Sequence, residues 1–206
     1  MSNTKQKILN SSIQLFNQNG VDAVRLQQIA EETGISVGNL AYHYKNKDAI
    51  VESVYEFIFE DFSTVLREYA IATNMISFDA QLSLYYHFFD KYQFYMADFF
   101  KTNNNPTEHQ QIWQEHINKM LIQIKSRIDY LVLNQDFIPE PMSGLYQQVT
   151  ENVCTNLIFY IQKCRMRGIF PTEMQYKYAV WNQFRPYFSE SGLIEFNQVI
   201  LPIFSY

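Results

Sequence analysis

The chain has 206 residues, of which 47% are hydrophobic and 18% charged, with 6 Gly, 6 Pro and a net charge of −5. High apolar content with modest charge argues against intrinsic disorder, and the scarcity of Gly and Pro excludes collagen-like and low-complexity architectures. No apolar run reaches the roughly 18 residues that a membrane span requires. The sequence therefore predicts a cytoplasmic protein without a membrane partner.

The charge is unevenly distributed along the chain. Residues 1–50 carry a balance of +1, because their five basic side chains slightly outnumber four acidic ones, whereas the remaining residues carry −6. A surface that binds nucleic acid must therefore be small and local, since the rest of the molecule would repel phosphate.

Apolar residues recur at spacings of three and four along most of the chain, which is the period of amphipathic helices. Strand-like alternation with turn dipeptides such as Asn-Gly is absent. The pattern predicts an all-α fold. Nine helices are predicted, near residues 4–19, 26–33, 37–43, 47–72, 77–101, 107–135, 143–167, 172–188 and 191–203. Pro186 is expected to kink or break the eighth of them.

Residues 26–44 have the features that a helix-turn-helix requires. Ala30 is small where two short helices would cross, and Gly34 follows the first helix, where a tight turn favours positive φ. Ser36 is predicted to cap the second helix. Three apolar residues would form the shared core: Ile29, Ile35 and Leu40. Taken alone, these features are equally compatible with an ordinary helical hairpin, because short motifs give many false matches.

The surrounding residues resemble the TetR-type transcriptional repressors. The predicted three-helix unit is followed by Leu40-Ala41-Tyr42-His43-Tyr44-Lys45-Asn46-Lys47-Asp48, which runs into a long predicted helix. The resemblance covers residues 4 to about 62, and the aromatic stretch through Lys45-Asn46-Lys47 is its most specific part.

This resemblance implies a DNA-binding domain over residues 1–47 and a ligand-binding and dimerisation domain over residues 48–206. It implies a homodimer that places two recognition helices in adjacent major grooves of an inverted-repeat operator. The C-terminal helices would bind a small-molecule effector, and the helices near 143–167 and 172–188 would form the dimer interface.

Matching by position, the resemblance implies five base-contacting residues, namely Gln27, Ser36, Val37, Gly38 and Asn39. It implies three phosphate-contacting residues, namely Tyr42, His43 and Lys47. The residue types suit these roles, because Gln pairs with the adenine edge, Val meets a thymine methyl, and a glycine permits close approach of the backbone.

Two positions depart from the family pattern. Ala41 stands where the family usually has Tyr, so one phosphate contact is expected to be missing. Arg25 stands where a capping Thr is common. The departures imply either weaker DNA binding or a compensating phosphate contact from Arg25.

Aromatic residues are concentrated after residue 50, where all of them lie except Phe16, Tyr42 and Tyr44. One interpretation is a helix buried on most sides, within a bundle and a dimer interface. The other is a cavity between helices, whose aromatic walls hold an apolar molecule. For that cavity, the predicted lining is Tyr86, Phe89, Phe99, Trp113, His116 and Phe159.

The sequence does not favour metal or catalytic chemistry. His109 and His116 would share a helix face about 10 Å apart, too far to bind one ion together. No nucleophile elbow, phosphate-binding loop or dinucleotide-binding fingerprint is present. We therefore expect no metal, no cofactor and no enzymatic activity.

The sequence thus predicts a DNA-binding transcriptional regulator, a repressor released from its operator by a small apolar or aromatic ligand. The alternative is an all-α carrier of apolar ligands, or an interaction protein, whose N-terminal unit does not bind DNA. The alternative draws on Ala41 and on the acidic balance outside residues 1–50.

Overall fold

The computed structural model describes residues 3–69, 74–99 and 108–204. Within these ranges the regular structure is helical, apart from one isolated β-bridge between Phe137 and Phe188, which confirms the predicted all-α class. The helices are α1 (Asn3–Asn19), α2 (Leu26–Thr33), α3 (Val37–His43), α4 (Lys47–Glu68), α5 (Met75–Lys91), α6 (Gln93–Phe99), α7 (Glu108–Leu133), α8 (Leu145–Met166), α9 (Glu173–Phe184) and α10 (Glu190–Val199). Short 3-10 turns follow at Arg185–Tyr187 and Leu201–Phe204.

The helix predicted over residues 77–101 is interrupted at Tyr92, between α5 and α6. The Asn17 side chain of α1 replaces the helical hydrogen bonds lost there, since it donates to the Lys91 carbonyl at 2.8 Å and accepts the Phe94 N–H at 3.0 Å. The Tyr92 hydroxyl donates to Asp61 at 2.6 Å. Side chains from elsewhere in the chain therefore stabilise the break, and the local apolar period gives no sign of it.

The break expected near Pro186 is confirmed. Helix α9 ends at Phe184, and the chain continues through the 3-10 turn. Proline has no backbone N–H and its ring clashes with the preceding turn, so the α-helix cannot continue through this position.

The chain folds into two compact units. One comprises Met1–Asp61 and Lys91–Ile112, and the other comprises Phe62–Asp90 and Trp113–Tyr206, so that α4 contributes residues to both. We call them the first and the second unit. The functional division at residue 47 remains a prediction.

The first unit is built on apolar side chains that are almost completely removed from solvent. Its fully buried residues include Ile8, Leu9, Ile29, Leu40, Ile50, Val54 and Ile58. Each such side chain contributes about 1.5–3 kcal/mol of transfer free energy relative to an exposed one. These residues fix α1, α2, α3 and the first part of α4 around one core.

The second unit contains a buried ion pair as well as an aromatic core. Lys177 of α9 lies 2.5 Å from Asp79 of α5, and both side chains are less than a tenth exposed. The Trp181 indole N–H donates to the same carboxylate at 3.0 Å, and the Lys177 ammonium also donates to Ser83. A buried charge is tolerated when it is paired and hydrogen-bonded in this way, and the pair fixes α9 against α5.

Helix α10 begins against the backbone of the segment that follows α7. Ser189 caps the helix by accepting the Gly192 N–H at 3.0 Å, and its own N–H donates to the Asp136 carbonyl at 2.8 Å. A Cβ atom at position 192 would collide with the carbonyl group of Asp136. The position therefore requires glycine, because two backbone segments meet there without room for a side chain.

Candidate nucleic-acid interface and ligand-pocket residues

Helices α2 and α3 form the predicted helix-turn-helix. Gly34 adopts the left-handed conformation at φ 74°, and the Ile35 N–H donates to the Ala30 carbonyl at 3.0 Å, which closes α2. Ser36 caps α3 by accepting the Asn39 N–H at 3.1 Å. Leu40 is fully buried, so the short helix α3 is fixed by its inner face and its other face is left outward.

The outward face of α3 consists of Val37, Gly38, Asn39, Ala41 and Tyr42, all of which are exposed. We call it the α3 face. Tyr42 is 85% exposed, and its ring lies edge-on to that of His43 at 5.3 Å. A large aromatic side chain that is held outward on a short helix is available to a partner.

Gly38 is not required by the fold. Its φ is not positive, and a Cβ added there would meet only the Ser36 hydroxyl, at 3.9 Å. Glycine within a helix costs about 0.5–1 kcal/mol relative to alanine. No contact among the described residues therefore requires glycine at this position.

The start of α2 also differs from the expected cap. Arg25 has no acceptor to offer, and the Gln28 side chain instead accepts the Arg25 N–H at 2.8 Å. The Gln27 side chain donates to the Glu31 carboxylate at 3.1 Å. Arg25 and Gln27 are both exposed, and they line the same shallow groove at the start of α2 together with Glu31.

Lys47 has a role that the sequence did not reveal. Its ammonium group donates to the carbonyl oxygens of Val21, Asp22 and Val24 at 3.1, 3.2 and 3.1 Å. These three acceptors occupy all three N–H donors of the lysine. The side chain thereby holds the connection between α1 and α2 against the start of α4, and a phosphate contact would have to displace one of these bonds.

Three of the six residues predicted to line a ligand cavity lie in the core of the second unit. Phe89, Trp113 and His116 are at most 3% exposed and surround the ring of Phe62, with centroid distances of 5.9, 5.1 and 5.2 Å. The His116 ring makes a 3.0 Å hydrogen bond with Ser63. Burial, aided by the nearby Lys119 charge, lowers the pKa of His116 to about 4, so this histidine is neutral at pH 7.

The other three residues are distributed differently. Tyr86 is half-buried and donates its hydroxyl to the Pro171 carbonyl at 3.0 Å. The side chain of Phe99 lies outside the described part of the structure. Phe159 lines a groove of about 440 Å³ on α8 and α9, together with Asn152, Thr155, Asn156, Tyr160, Lys163, Ala179 and Gln183.

A second groove, of about 450 Å³, lies between α4 and α7 and was not expected from the sequence. It is lined by Ser63, Leu66, Arg67, Lys119, Ile122 and Gln123. Most of these residues are polar or charged and none is aromatic, so the aromatic pattern of the sequence does not indicate this groove. Polar residues at outward positions are ordinary for surface helices, and Arg67, Lys119 and Gln123 follow that pattern.

The structure also bears on metal and membrane sites. Among the described side chains, no group of three or more His, Cys, Asp or Glu residues is placed to hold a metal ion. Every helix in the described ranges is too short or too polar to cross a lipid bilayer.

Part of the first unit is similar to a known protein family. The model for "Bacterial regulatory proteins, tetR family" matches residues 8–54. The "Probable HTH-type transcriptional regulator YttP" of Bacillus subtilis is 30% identical over 79 residues, which is 38% of each chain. The "Biofilm operon icaADBC HTH-type negative transcriptional regulator IcaR" of Staphylococcus aureus is 29% identical over 105 residues, covering 50% of this chain and 56% of IcaR. The matches thus span 38% of the length of YttP and 56% of the length of IcaR.

Two solved structures share the fold over most of the chain. A TetR-family transcriptional regulator from Marinobacter aquaeolei VT8 superposes with a TM-score of 0.76 at 22% identity, covering 100% of this chain and 98% of that one. The complex of SmeT, a repressor from Stenotrophomonas maltophilia, with triclosan gives a TM-score of 0.61 at 13% identity, with 92% and 93% coverage.

Replacing Lys47 by alanine is expected to lower the free energy of unfolding by about 1–3 kcal/mol, since three charge-assisted hydrogen bonds are lost. Lys45→Ala is the matched control, because Lys45 is exposed two residues away and its loss should change stability by less than about 0.5 kcal/mol. Urea denaturation of both variants measures the difference. Equal stability of the two variants would contradict the role assigned to Lys47.

Proposed function

We propose that this chain, whose residues 8–54 match the tetR family of bacterial regulatory proteins, is a sequence-specific DNA-binding repressor that a small molecule releases from its operator. The operator is an inverted repeat read by a homodimer. No chemical transformation is part of the proposed function. An operator lies on the bacterial chromosome, so the protein would act in the cytoplasm.

The α3 face is the single observation that carries the proposal. It combines an exposed glycine that the fold does not need with an exposed tyrosine, a valine and an asparagine on one short, firmly anchored helix. Such a helix fits the major groove, where Asn39 reaches a base edge, Val37 meets a thymine methyl and Gly38 allows the backbone to come close. Ser36 and Gln27 flank these base contacts.

Phosphate contacts would orient this helix on the duplex. Tyr42 and His43 lie at its C-terminal end, and Arg25 stands exposed at the start of α2. Lys47 contributes its charge, although its donors already bind carbonyl oxygens. The net charge of residues 1–50 is only +1. The affinity for DNA therefore has to come from a few well-placed contacts and from two copies of the site.

Dimerisation follows from the size of the recognition helix. One short helix reads only a few base pairs, so specificity requires a second copy about 34–36 Å away, one helical turn along the DNA. The groove on α8 and α9 gives a surface for this contact, because Phe159 and Tyr160 offer partly exposed aromatic area and Ala179 allows close helix approach. Two copies of α8 and α9 would form a four-helix bundle.

Two relatives support the regulatory part of the proposal. IcaR is named as a negative regulator, and SmeT is a repressor whose structure contains triclosan. Release by a ligand requires that the ligand bind more tightly to the arrangement that does not fit the operator. The groove between α4 and α7 offers a volume of about 450 Å³ for such a molecule.

Selection of bound duplexes from a random DNA library is the experiment that tests this function. We expect recovery of an inverted repeat with fixed half-site spacing, and binding that weakens steeply with salt because phosphate contacts release counterions. Failure to recover any sequence, with no salt-sensitive binding, would overturn the proposal in favour of an apolar-ligand carrier.

Gly38→Ala is expected to move stability and DNA affinity in opposite directions. Alanine stabilises the helix by about 0.5–1 kcal/mol, whereas its methyl group should weaken operator binding by about 1–3 kcal/mol, the cost of a mismatched base pair. Asn118→Ala, on an exposed position of α7, is the control, since it alters helix propensity without touching the α3 face. Thermal melting and fluorescence anisotropy measure the two effects, and undiminished affinity would remove Gly38 from the interface.

Ala179→Glu is expected to convert the dimer to a monomer, because it places a larger, charged side chain where the two copies of the bundle would meet closely. Leu133→Glu, at a position 79% exposed at the end of α7, should leave the dimer intact. Sedimentation equilibrium at micromolar concentration distinguishes the two states. A wild-type monomer, or a dimer of the Ala179 variant, would contradict the assigned interface.

A further inference from the structure

The short connection between α3 and α4 is fixed on both sides of position 45. Tyr44 is 7% exposed, and its backbone N–H donates to the Leu40 carbonyl at 2.9 Å. Asn46 caps α4 by accepting the Ala49 N–H at 2.9 Å. The residue before position 45 is therefore held by burial, and the residue after it is held by a helix cap.

Lys45 stands between these two fixed residues, and its side chain is exposed. The backbone of Tyr44 is extended, with φ −141° and ψ 117°. Successive side chains of an extended chain point to opposite sides, so burial of the Tyr44 ring directs Lys45 outward. The fold itself thus holds the charge of this lysine toward solvent.

The position of Lys45 along the chain also suits a contact with the DNA backbone. In helix-turn-helix proteins the N-terminal residues of the recognition helix contact base edges, so its C-terminal end lies toward the rim of the major groove. Helix α3 has seven residues and is about 10 Å long, which compares with a groove about 12 Å wide. Lys45 follows that end of α3 directly, beside the proposed phosphate contacts Tyr42 and His43.

Lys47 is placed differently, although it is only two residues further along. Its ammonium group already donates to the carbonyl oxygens of Val21, Asp22 and Val24. Three acceptors occupy all the N–H donors of a lysine. A phosphate contact from Lys47 would break one of these bonds, whereas a contact from Lys45 would leave the hydrogen bonds of the α3–α4 connection intact.

A second lysine lies against the same connection. The ammonium group of Lys5, near the start of α1, is 5.7 Å from the centroid of the Tyr44 ring. Lys5 therefore brings another positive charge next to the residue that precedes Lys45. The next acidic residue along the chain, Asp48, lies in the first turn of α4, where the partial positive charge of the helix start attracts it.

We propose that Lys45, rather than Lys47, makes the phosphate contact of the α3–α4 connection, with its ammonium group donating to a backbone phosphate at the rim of the major groove. The contact positions the α3 face on the duplex and carries no sequence information of its own. The inference rests on the proposed function. It reverses the assignment implied by position in the sequence, because position does not reveal that the donors of Lys47 are engaged.

Lys45→Ala and Lys47→Ala form a matched pair, since each removes one lysine from the same segment. Fluorescence anisotropy with the recovered operator measures their affinities as salt is varied, at a temperature where both variants are folded. For Lys45→Ala the slope of log affinity against log salt should become shallower by about two, one for each protomer. The loss of affinity should then be about tenfold larger at about 50 mM salt than at about 200 mM. Lys47→Ala should keep the wild-type slope.

Methylphosphonate substitution identifies the phosphate that is contacted. A neutral methylphosphonate, placed in turn at each phosphate flanking a half-site, should weaken wild-type binding at one position and have a much smaller effect there on Lys45→Ala. Lys45→Arg, which keeps the charge, should retain the wild-type salt slope. Lys125→Ala should also retain it, because this lysine is paired with Asp129 on α7 in the second unit.

The outcomes separate this inference from the proposed function. If an operator is recovered and Lys45→Ala keeps the wild-type salt slope, the contact is overturned and the repressor stands. If Lys47→Ala makes the slope shallower, the reassignment is overturned. If only Lys45→Ala does so, and one methylphosphonate loses its effect in that variant, the inference holds. If the chain shows neither specific nor salt-dependent DNA binding, the proposed function fails and this inference fails with it.

Discussion

The burial of Leu40 is the interaction on which the proposed DNA-binding surface depends. Helix α3 has only seven residues, and a helix of that length is not stable in water by itself. Leu40 attaches it to the core of the first unit, the Gly34 turn sets its starting point, and the Ser36 side chain accepts the free N–H of Asn39 in its first turn. The exposed residues of the α3 face are therefore positioned by one buried side chain and two local backbone devices.

The same local devices explain why this region was predictable from sequence. Positive φ at a glycine, a capping serine and apolar residues at helical spacing each act over a few residues, so the bounds of α2 and α3 agree with the predicted 26–33 and 37–43. The break at Tyr92 depends instead on Asn17, far away in the chain, and no local pattern reports it. Lys47 was missed for the same reason, because its carbonyl acceptors belong to a turn more than twenty residues earlier.

The ligand-pocket residues show a different limit of sequence reasoning. Periodicity identifies which side chains face inward, but it does not separate a packed core from the wall of a cavity. Trp113 and Phe89 face inward and pack against Phe62 in the core of the second unit. The polar residues Gln81, Gln123 and Arg127 look like surface positions on helices until the structure places them next to each other. Such contacts are a three-dimensional property, and one sequence does not display them.

Substitutions at Gly192 would abolish activity for a structural reason rather than through a binding site. The glycine lies neither on the α3 face nor in the groove between α4 and α7, yet any side chain there meets the backbone of Asp136. In a screen of random substitutions scored by reporter expression, this position would rank with the residues proposed to touch DNA. Its intolerance would reflect lost protein rather than lost recognition, so abundance has to be measured beside activity before any position is assigned to a binding site.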